Sequence, residues 1–410
     1  VDINPTKDVV DFIGSTNSLN GQTVPMGSTI YYKVVSSELP SNRSTVVNEW
    51  KISDPLDSKV KFNGEKEILA GADFYNADGT KIISKGTKYF NINMQIEDGK
   101  TIVTATPNEE FLKLTSLPKN REIAQKYELY IGATITTAGW SYNTADEVLN
   151  GDPDKTNTVK TFTFDPVVPK PVKDVALGET TTISPESIDG SLVAPGDTLT
   201  YVLKGQTLKP YHEKIESLSI SDIFDKGVTY EGFKAYLNTA DGQQIDVTDL
   251  LSEQKDGNTL KWVAKAELLK MLDSDEYNTK NTVTPTVYAK VKVNKDLAEK
   301  IDNTYYVSIN NKQGNSNIVT NTSTKPDPVK KDFDTDGNDI DGKKVLPEST
   351  NRYTLLWNLS QYRGIKASAN AIQKGFYFVD DVNDQAFSDI DLSKVTFKTA
   401  DSQDVFGIKV

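Results

Sequence analysis

Twice in this sequence a lysine is followed, at matched distances, by an aspartate and then by an asparagine. Lys7 precedes Asp54 by 47 residues and Asn157 by 150, while Lys173 precedes Asp222 by 49 and Asn317 by 144. An amine, a carboxyl and a carboxamide pressed together out of water can form a covalent bond. The amine attacks the asparagine carbonyl carbon, ammonia leaves, and a Lys–Asn isopeptide remains. The amine must be neutral to attack. The acid must be protonated to hydrogen-bond the carbonyl oxygen as negative charge develops and to relay protons to the leaving group. Burial drives both groups that way, because desolvation lowers a lysine pKa and raises an aspartate pKa. Closing a loop of ~150 residues is worth roughly 5 kcal/mol in the chain-entropy model, as for a disulfide, and the bond cannot be reduced.

Such a site needs elements that bring chain ends together. Asn157 lies in Thr-Asn-Thr-Val and Asn317 in Ser-Asn-Ile-Val, each at what the pattern makes the final strand of a unit, and Lys7-Asp8 and Lys173-Asp174 open the first. First and last strands are often neighbours in a sandwich, so the spacing predicts the lysine and asparagine meeting beside an acid from a middle strand. A third pair, Lys331-Asp332, with Asp381 (or its neighbour Asp380) as the acid, makes an incomplete set.

The units repeat. Leu19–Lys33, Ile188–Val202 and Ile340–Thr354 each place a glycine (Gly21, Gly190, Gly342) after Asn or Asp, then a valine (Val24, Val193, Val345) and a tyrosine (Tyr32, Tyr201, Tyr353). The glycine supplies positive φ for a chain reversal, and the alternation after it reads as a half-buried strand. A second set, Trp50–Asp57, Leu218–Asp225 and Tyr377–Asp384, reads as a strand running into acid. The third set is the hairpin at Tyr75–Gly79, Leu237–Gly242 and Phe397–Ser402. One period of ~160 residues accounts for all three. Pro-rich joints at Asp165–Pro171 and Thr324–Pro328 are extended spacers. The expected division is 1–166, 167–326 and 327–410, the last being the N-terminal part of a third unit whose remaining ~70 residues, by the repeat, would follow.

Strand-like runs rich in β-branched and aromatic residues dominate, for example Lys160–Phe164, Thr284–Val293 and Asn303–Ile309. Helical pattern is confined to short segments, Asn108–Leu114, Lys265–Leu272 and Asn294–Ile301. The fold class is therefore all-β: tandem immunoglobulin-like sandwiches with short helical insertions.

Composition narrows the chemistry. The chain has 410 residues, enough for two to three domains at ~150 residues each. Acidic residues outnumber basic ones 58 to 46, a net charge of −12, so no broad positive field would hold nucleic acid or an anionic membrane. With no cysteine there is no disulfide, thiolate nucleophile or Cys-ligated zinc, and one histidine, His212, weakens any triad or His-rich metal site. No apolar run approaches the ~18 residues of a membrane span. A start at Val1-Asp2 rather than Met reads as an excised piece.

Lesser signals point to structure. Asp334, Asp336 and Asn338, with Gly337 between them, mimic the first ligands of an EF-hand loop, but the twelfth position is Val345, so a polar turn is the better reading; calcium bound elsewhere between loops stays open, and no other cofactor is expected. His212, between Tyr211 and Glu213, is expected at the surface. The pairs Asp54/Asp57 and Asp222/Asp225 could suggest glycosidase chemistry, yet their recurrence in two units favours a structural role.

The Lys-Asp start, the (Asn/Asp)-Gly turn with its Val and Tyr, the segments SISD and FVDD and the terminal SNIV resemble the C-terminal isopeptide-forming repeats of the streptococcal antigen I/II adhesins and the related enterococcal aggregation substances. The likeness is closest over DTDGNDIDGKKVLPESTNRYTLLWNLSQYRGIKASANAIQKGFYFVDD, Asp334–Asp381, and covers essentially the whole chain as tandem units. It implies Lys7/Asp54/Asn157 and Lys173/Asp222/Asn317 as bond-forming triads, and Lys331/Asp381 as an orphaned pair. It also implies an extracellular stalk, anchored to a Gram-positive cell wall, whose parent protein engages other cell-surface proteins or host glycoproteins through a separate head. No LPxTG-type motif and no Arg-Gly-Asp is present, since Arg363-Gly364 is followed by Ile365. The alternatives are sandwiches that themselves bind a partner surface, and a carbohydrate-active enzyme. An enzyme role beyond autocatalytic crosslinking is not expected.

Overall fold

A computed structural model describes residues 3–70, 73–82, 87–295, 299–375 and 377–410. The first unit packs two sheets face to face. One sheet has the strand order Thr6–Val10, Thr29–Val35, Tyr127–Ile135, Val60–Ala70. The other runs Asp152–Lys155, Asp146–Leu149, Trp50–Pro55, Lys100–Pro107, Phe90–Glu97. A two-stranded ribbon, Gly139–Asn143 with Val159–Thr163, closes one side.

The second unit repeats the plan with an added strand at the edge of its first sheet and another, Leu192–Val193, on its ribbon. Its first sheet is Val172–Leu177, Thr198–Lys204, Val283–Val293, Val228–Thr239, Gln244–Asp246, and its second is Leu251–Asp256, Thr259–Ala264, Leu218–Ile223, Tyr305–Ile309, Lys312–Asn315. Lys300–Asn303 pairs with Val319–Ser323 as the ribbon. The architecture is thus the all-β, immunoglobulin-like tandem expected from the pattern.

Alternation explains which side chains turn inward. In Trp50–Pro55 the residues Trp50, Ile52 and Asp54 are buried and their neighbours are not, so one face of the strand lines the core. Leu218–Ile223 repeats this with Leu218, Ile220 and Asp222. Trp50 packs edge-on against Tyr127 at 4.6 Å between centroids, and Trp262 is fully enclosed in the second core. Short helices Glu109–Thr115 and Ala266–Leu272 plug the sandwich ends, the first capped by Asn108, whose side chain accepts the Phe111 N–H at 2.9 Å. Gly21, Gly190 and Gly342 all take positive φ (76°, 77°, 69°), as their repeat position requires. In the hairpin at Phe397–Ser402, Ser402 adopts φ 67° where the other copies have glycine.

Three expectations change. The segment Asn294–Ile301 does not form the expected helix: Lys300 and Ile301 begin a strand paired with the last strand of the unit, and residues 296–298 lie outside the described residues. The third unit has one hairpin, Val329–Phe333 with Arg352–Leu356, and Tyr377–Asp384 shows no strand among its described residues. His212 is fully buried rather than at the surface, because its loop is folded under the end of the Ala266–Leu272 helix.

Candidate functional site: a buried amine, acid and carboxamide

Each lysine belongs to an edge strand and shares its inward face with the buried valine two residues on, Val9 or Val175. Lys7 stands opposite Val34 and Lys173 opposite Leu203, both two residues beyond the repeated tyrosine, Tyr32 or Tyr201. The Lys7 Nζ therefore lies 5.0 Å from the centre of the Tyr32 ring, and the Lys173 Nζ 4.3 Å from that of Tyr201. Opposite each amine the acid strand of the facing sheet presents its carboxylate. Lys7 is ion-paired with Asp54, and Lys173 with Asp222, with all four side chains wholly shielded from water. The second pocket is walled further by Phe224 and by Tyr305, whose hydroxyl donates to the carbonyls of Val172 and Lys204 and ties the lysine strand to its neighbour.

Burial dominates the electrostatics. Desolvation pushes the Lys7 amine down, and that of Lys173 down to about 8, while the paired carboxylate pulls each back up. The same burial pushes the Asp54 and Asp222 carboxyls up against the opposing pull of the lysines. One oxygen of each acid, Oδ1 of Asp54 and of Asp222, is buried without a hydrogen-bond partner. Such an oxygen is expensive as part of an anion and tolerable as part of a neutral acid.

The carboxamide at this site differs from the one the spacing indicated. Asn157 and Asn317 are exposed, and each grips the lysine's backbone rather than its amine. The Asn157 Oδ1 accepts the Lys7 N–H at 2.8 Å and its Nδ2 donates to the Lys7 carbonyl at 2.9 Å. Asn317 does the same to Lys173 at 2.8 and 2.9 Å. A side chain that imitates a neighbouring strand from the solvent side cannot also reach an amine pointing into the core.

The asparagine that does reach it stands at the inner end of the ribbon. In the second unit Asn303, buried at the end of Lys300–Asn303, brings its Oδ1 against the Lys173 Nζ and donates from Nδ2 to the Ile223 carbonyl at 3.2 Å. In the first unit the same ribbon ends at Asn143, also buried, which donates to the Pro55 carbonyl at 3.3 Å and faces Asp54, where its side chain favours the ionised acid. The sequence carried no signal that separates them: Asn143 and Asn303 are each followed by threonine, but so is Asn157.

Two family models match the chain. One described as cell surface antigen C-terminus covers residues 4–164, and one described as cell surface antigen I/II C2 terminal domain covers 171–323 and 328–410, more than half of the sequence. The chain belongs to the antigen I/II family. The aggregation substance of Enterococcus faecalis (strain ATCC 700802 / V583) is 38% identical over 175 residues, which is 42% of this antigen I/II chain and 13% of that protein. Among solved structures, the C-terminal domain of the Streptococcus agalactiae AgI/II polypeptide BspA is similar at TM-score 0.35 and 16% identity, covering 78% of this chain and 99% of that one. The C-terminal domain of the Streptococcus pyogenes antigen I/II-family protein AspA is similar at TM-score 0.33 and 16% identity, with the same coverage.

In the third unit of the antigen I/II chain the pair is displaced by one residue. Lys331 is exposed and opposes Thr354, and Asp381 is exposed as well. Lys330 instead stands opposite Leu355, two residues past the repeated Tyr353. Its amine lies 4.1 Å from the centre of that ring and pairs with Asp380 at 2.6 Å. In a strand, a shift of one residue exchanges the two faces, so the Lys-Asp dipeptide was a misleading marker here and Asp380 is the partner. With the lysine side chain 44% exposed, this pair is far wetter than the other two.

The remaining acids have local duties. Asp57 accepts the N–H groups of Lys59 and Tyr142, and Asp225 accepts that of Gly227, so both shape turns rather than face Asp54 or Asp222 across a cleft. Asp334 spends both oxygens inside its own loop, on the N–H groups of Asp336 and Asn338 and on the Asn338 side chain, each at 2.9 Å. Among the described residues no three acidic or histidine side chains converge as metal ligands.

Proposed function

We propose that this chain is part of the stalk of a wall-anchored surface adhesin, and that its two full sandwiches lock themselves with the bonds Lys7–Asn143 and Lys173–Asn303. The observation that carries the reading is the enclosed Lys173 amine in contact with both Asp222 and the Asn303 carboxamide. The neutral Nζ attacks Cγ of the asparagine while the protonated aspartic acid hydrogen-bonds the carbonyl oxygen. The C–Nδ2 bond breaks, the aspartate carries a proton from the amine to the departing nitrogen, and ammonia leaves. The acid ends as it began. Extracellular placement, a head domain carried on the stalk, and partners among cell-surface proteins or host glycoproteins belong to the same proposal. Its support is family membership and an acidic, hydrophilic surface.

Intact mass under denaturing conditions tests the chemistry. The chain should weigh two ammonia molecules less than the sum of its residues. Asn303→Ala and Lys7→Ala should each restore one, whereas Asn317→Ala should leave the deficit at two. A mass equal to the plain sum would remove the crosslinks from the account, and restoration by Asn317→Ala would return the role to the exposed asparagine.

A further inference from the structure

The chain's one histidine lies at the joint between the first two units, and a comparison of the two sandwiches shows what it stands in for. After the second strand of each unit comes a loop with the same geometry. Leu39 and Leu208 form isolated bridges, to Gln125 and Val283, and three residues later Asn42 and Tyr211 take positive φ (55° and 63°). The next residue, Arg43 in the first unit and His212 in the second, turns inward and is buried. Arg43 donates to the Thr115 carbonyl at 2.7 Å, at the end of the helix Glu109–Thr115. The His212 Nε2 lies 3.0 Å from the Leu272 carbonyl, at the end of the equivalent helix Ala266–Leu272. Both side chains thus occupy the place where a helix favours a cation.

The other histidine nitrogen also faces an acceptor: Nδ1 lies 2.7 Å from the Glu213 carbonyl. A carbonyl oxygen only accepts, and neutral imidazole has one N–H, so two such contacts are satisfied together only by the doubly protonated ring. Two acids stand near the ring. Asp273 caps the helix and accepts the Ile215 N–H at 3.0 Å; burial pushes its carboxyl up, against the pull of that N–H and of the nearby His212 and Lys214. Glu213 directs its carboxylate away, to the Val167 N–H at 2.8 Å and toward Lys312 at 3.4 Å.

This ring sits in the middle of the clasp between the units. The Asp165 N–H, in the linker, donates to the Tyr211 carbonyl at 2.7 Å, and the Glu213 N–H donates to the Asp165 carbonyl at 2.8 Å. The Tyr211 ring lies on Gly139 of the first unit, where an added Cβ would stand 3.2 Å from it, and meets Phe162 edge-on at 5.9 Å. We propose that His212 is a charged pin for this joint: as an imidazolium it holds the clasp to its own unit's helix, and on losing a proton it releases one of two buried carbonyls and frees the first unit to swing. Arg43 makes the same connection permanently where no proton can be lost.

The absence of cysteine and of any second histidine makes the test clean. In the full chain, nitrogen-15 spectra of the imidazole should show both ring nitrogens protonated at about pH 6, as two carbonyl contacts require, and loss of one N–H at a higher pH. Spin labels at Gln95→Cys and Gln254→Cys, on exposed strands of the two units, should give a narrow distance distribution at the lower pH and a broader one at the higher. His212→Arg should keep the distribution narrow at both. A ring with a single N–H at about pH 6, or the same broadening in the His212→Arg chain, would overturn the proposal. The spectrum of the unaltered chain decides the first point even if the variant does not fold.

Discussion

Calorimetry of the Asn303→Ala chain should show the second sandwich melting about 10–20 °C lower than in the unaltered chain, with the mass deficit from the residue sum reduced from two ammonia to one. The size follows from the loop. The proposed bond would join residues 130 apart, and removing a crosslink of that span restores roughly 5 kcal/mol of freedom to the unfolded chain. In a unit of this size each kcal/mol moves Tm by about 2–4 °C. The substitution also strips the Ile223 carbonyl of its donor and leaves Lys173 and Asp222 as an unbonded pair in the core, which adds to the loss. Asp222→Ala should show the same one-ammonia deficit from its residue sum as Asn303→Ala, since without the acid the bond does not form. Asn317→Ala is the contrast. It removes two hydrogen bonds at an exposed position, about 1 kcal/mol each, so the unit should lose only a few degrees and keep the full two-ammonia deficit. An Asn317→Ala chain that melted as early as Asn303→Ala would show that the lost stability came from strand pairing rather than from a covalent link.

The difference between these two asparagines marks how far the sequence could be read. The repeat was legible because turn chemistry and alternation survive in all three units, and Lys7, Asp54, Lys173 and Asp222 were legible because each recurs at a matched distance. The carboxamide was not. Asn157 and Asn317 recur equally well, but for a reason that spacing cannot separate from chemistry: they pair with the backbone of the same lysines. Only the burial of Asn143 and Asn303, set by which face of the ribbon turns inward, distinguishes the two kinds of asparagine. Lys330 was missed for a related reason. A strand has a period of two, so a lysine doublet offers one residue to each face, and the choice falls to the register with Leu355. His212 was misjudged because its partners are backbone carbonyls, which leave no trace in the sequence.

Pulled from its ends, the second sandwich should not unfold between the bonded residues, and the Asn303→Ala chain should. Force enters this unit through the strand Val172–Leu177, which carries Lys173, and leaves through Val319–Ser323, which is paired with the strand ending in Asn303. With the proposed isopeptide in place the load should pass from the first strand across it to Lys300–Asn303 and on to the last strand, and the 130 residues between the bonded side chains should carry none of it. Single-molecule extension should show no release of that segment at any force that leaves covalent bonds intact. With Asn303→Ala the load falls on hydrogen bonds between the lysine strand and its neighbour Thr198–Lys204, and on the Asn317 bridge to the Lys173 backbone, which break one after another. The segment should then come free in one step of about 450 Å, taking ~3.5 Å for each residue, less the few tens of ångströms the folded unit already spans. The first unit stays as an internal control through Lys7 and Asn143, and losing both bonds should double the number of steps. A step of that length from the unaltered chain would mean the load does not run through Lys173, and the sandwich would then be an ordinary β fold that resists force only as long as its strand pairing lasts.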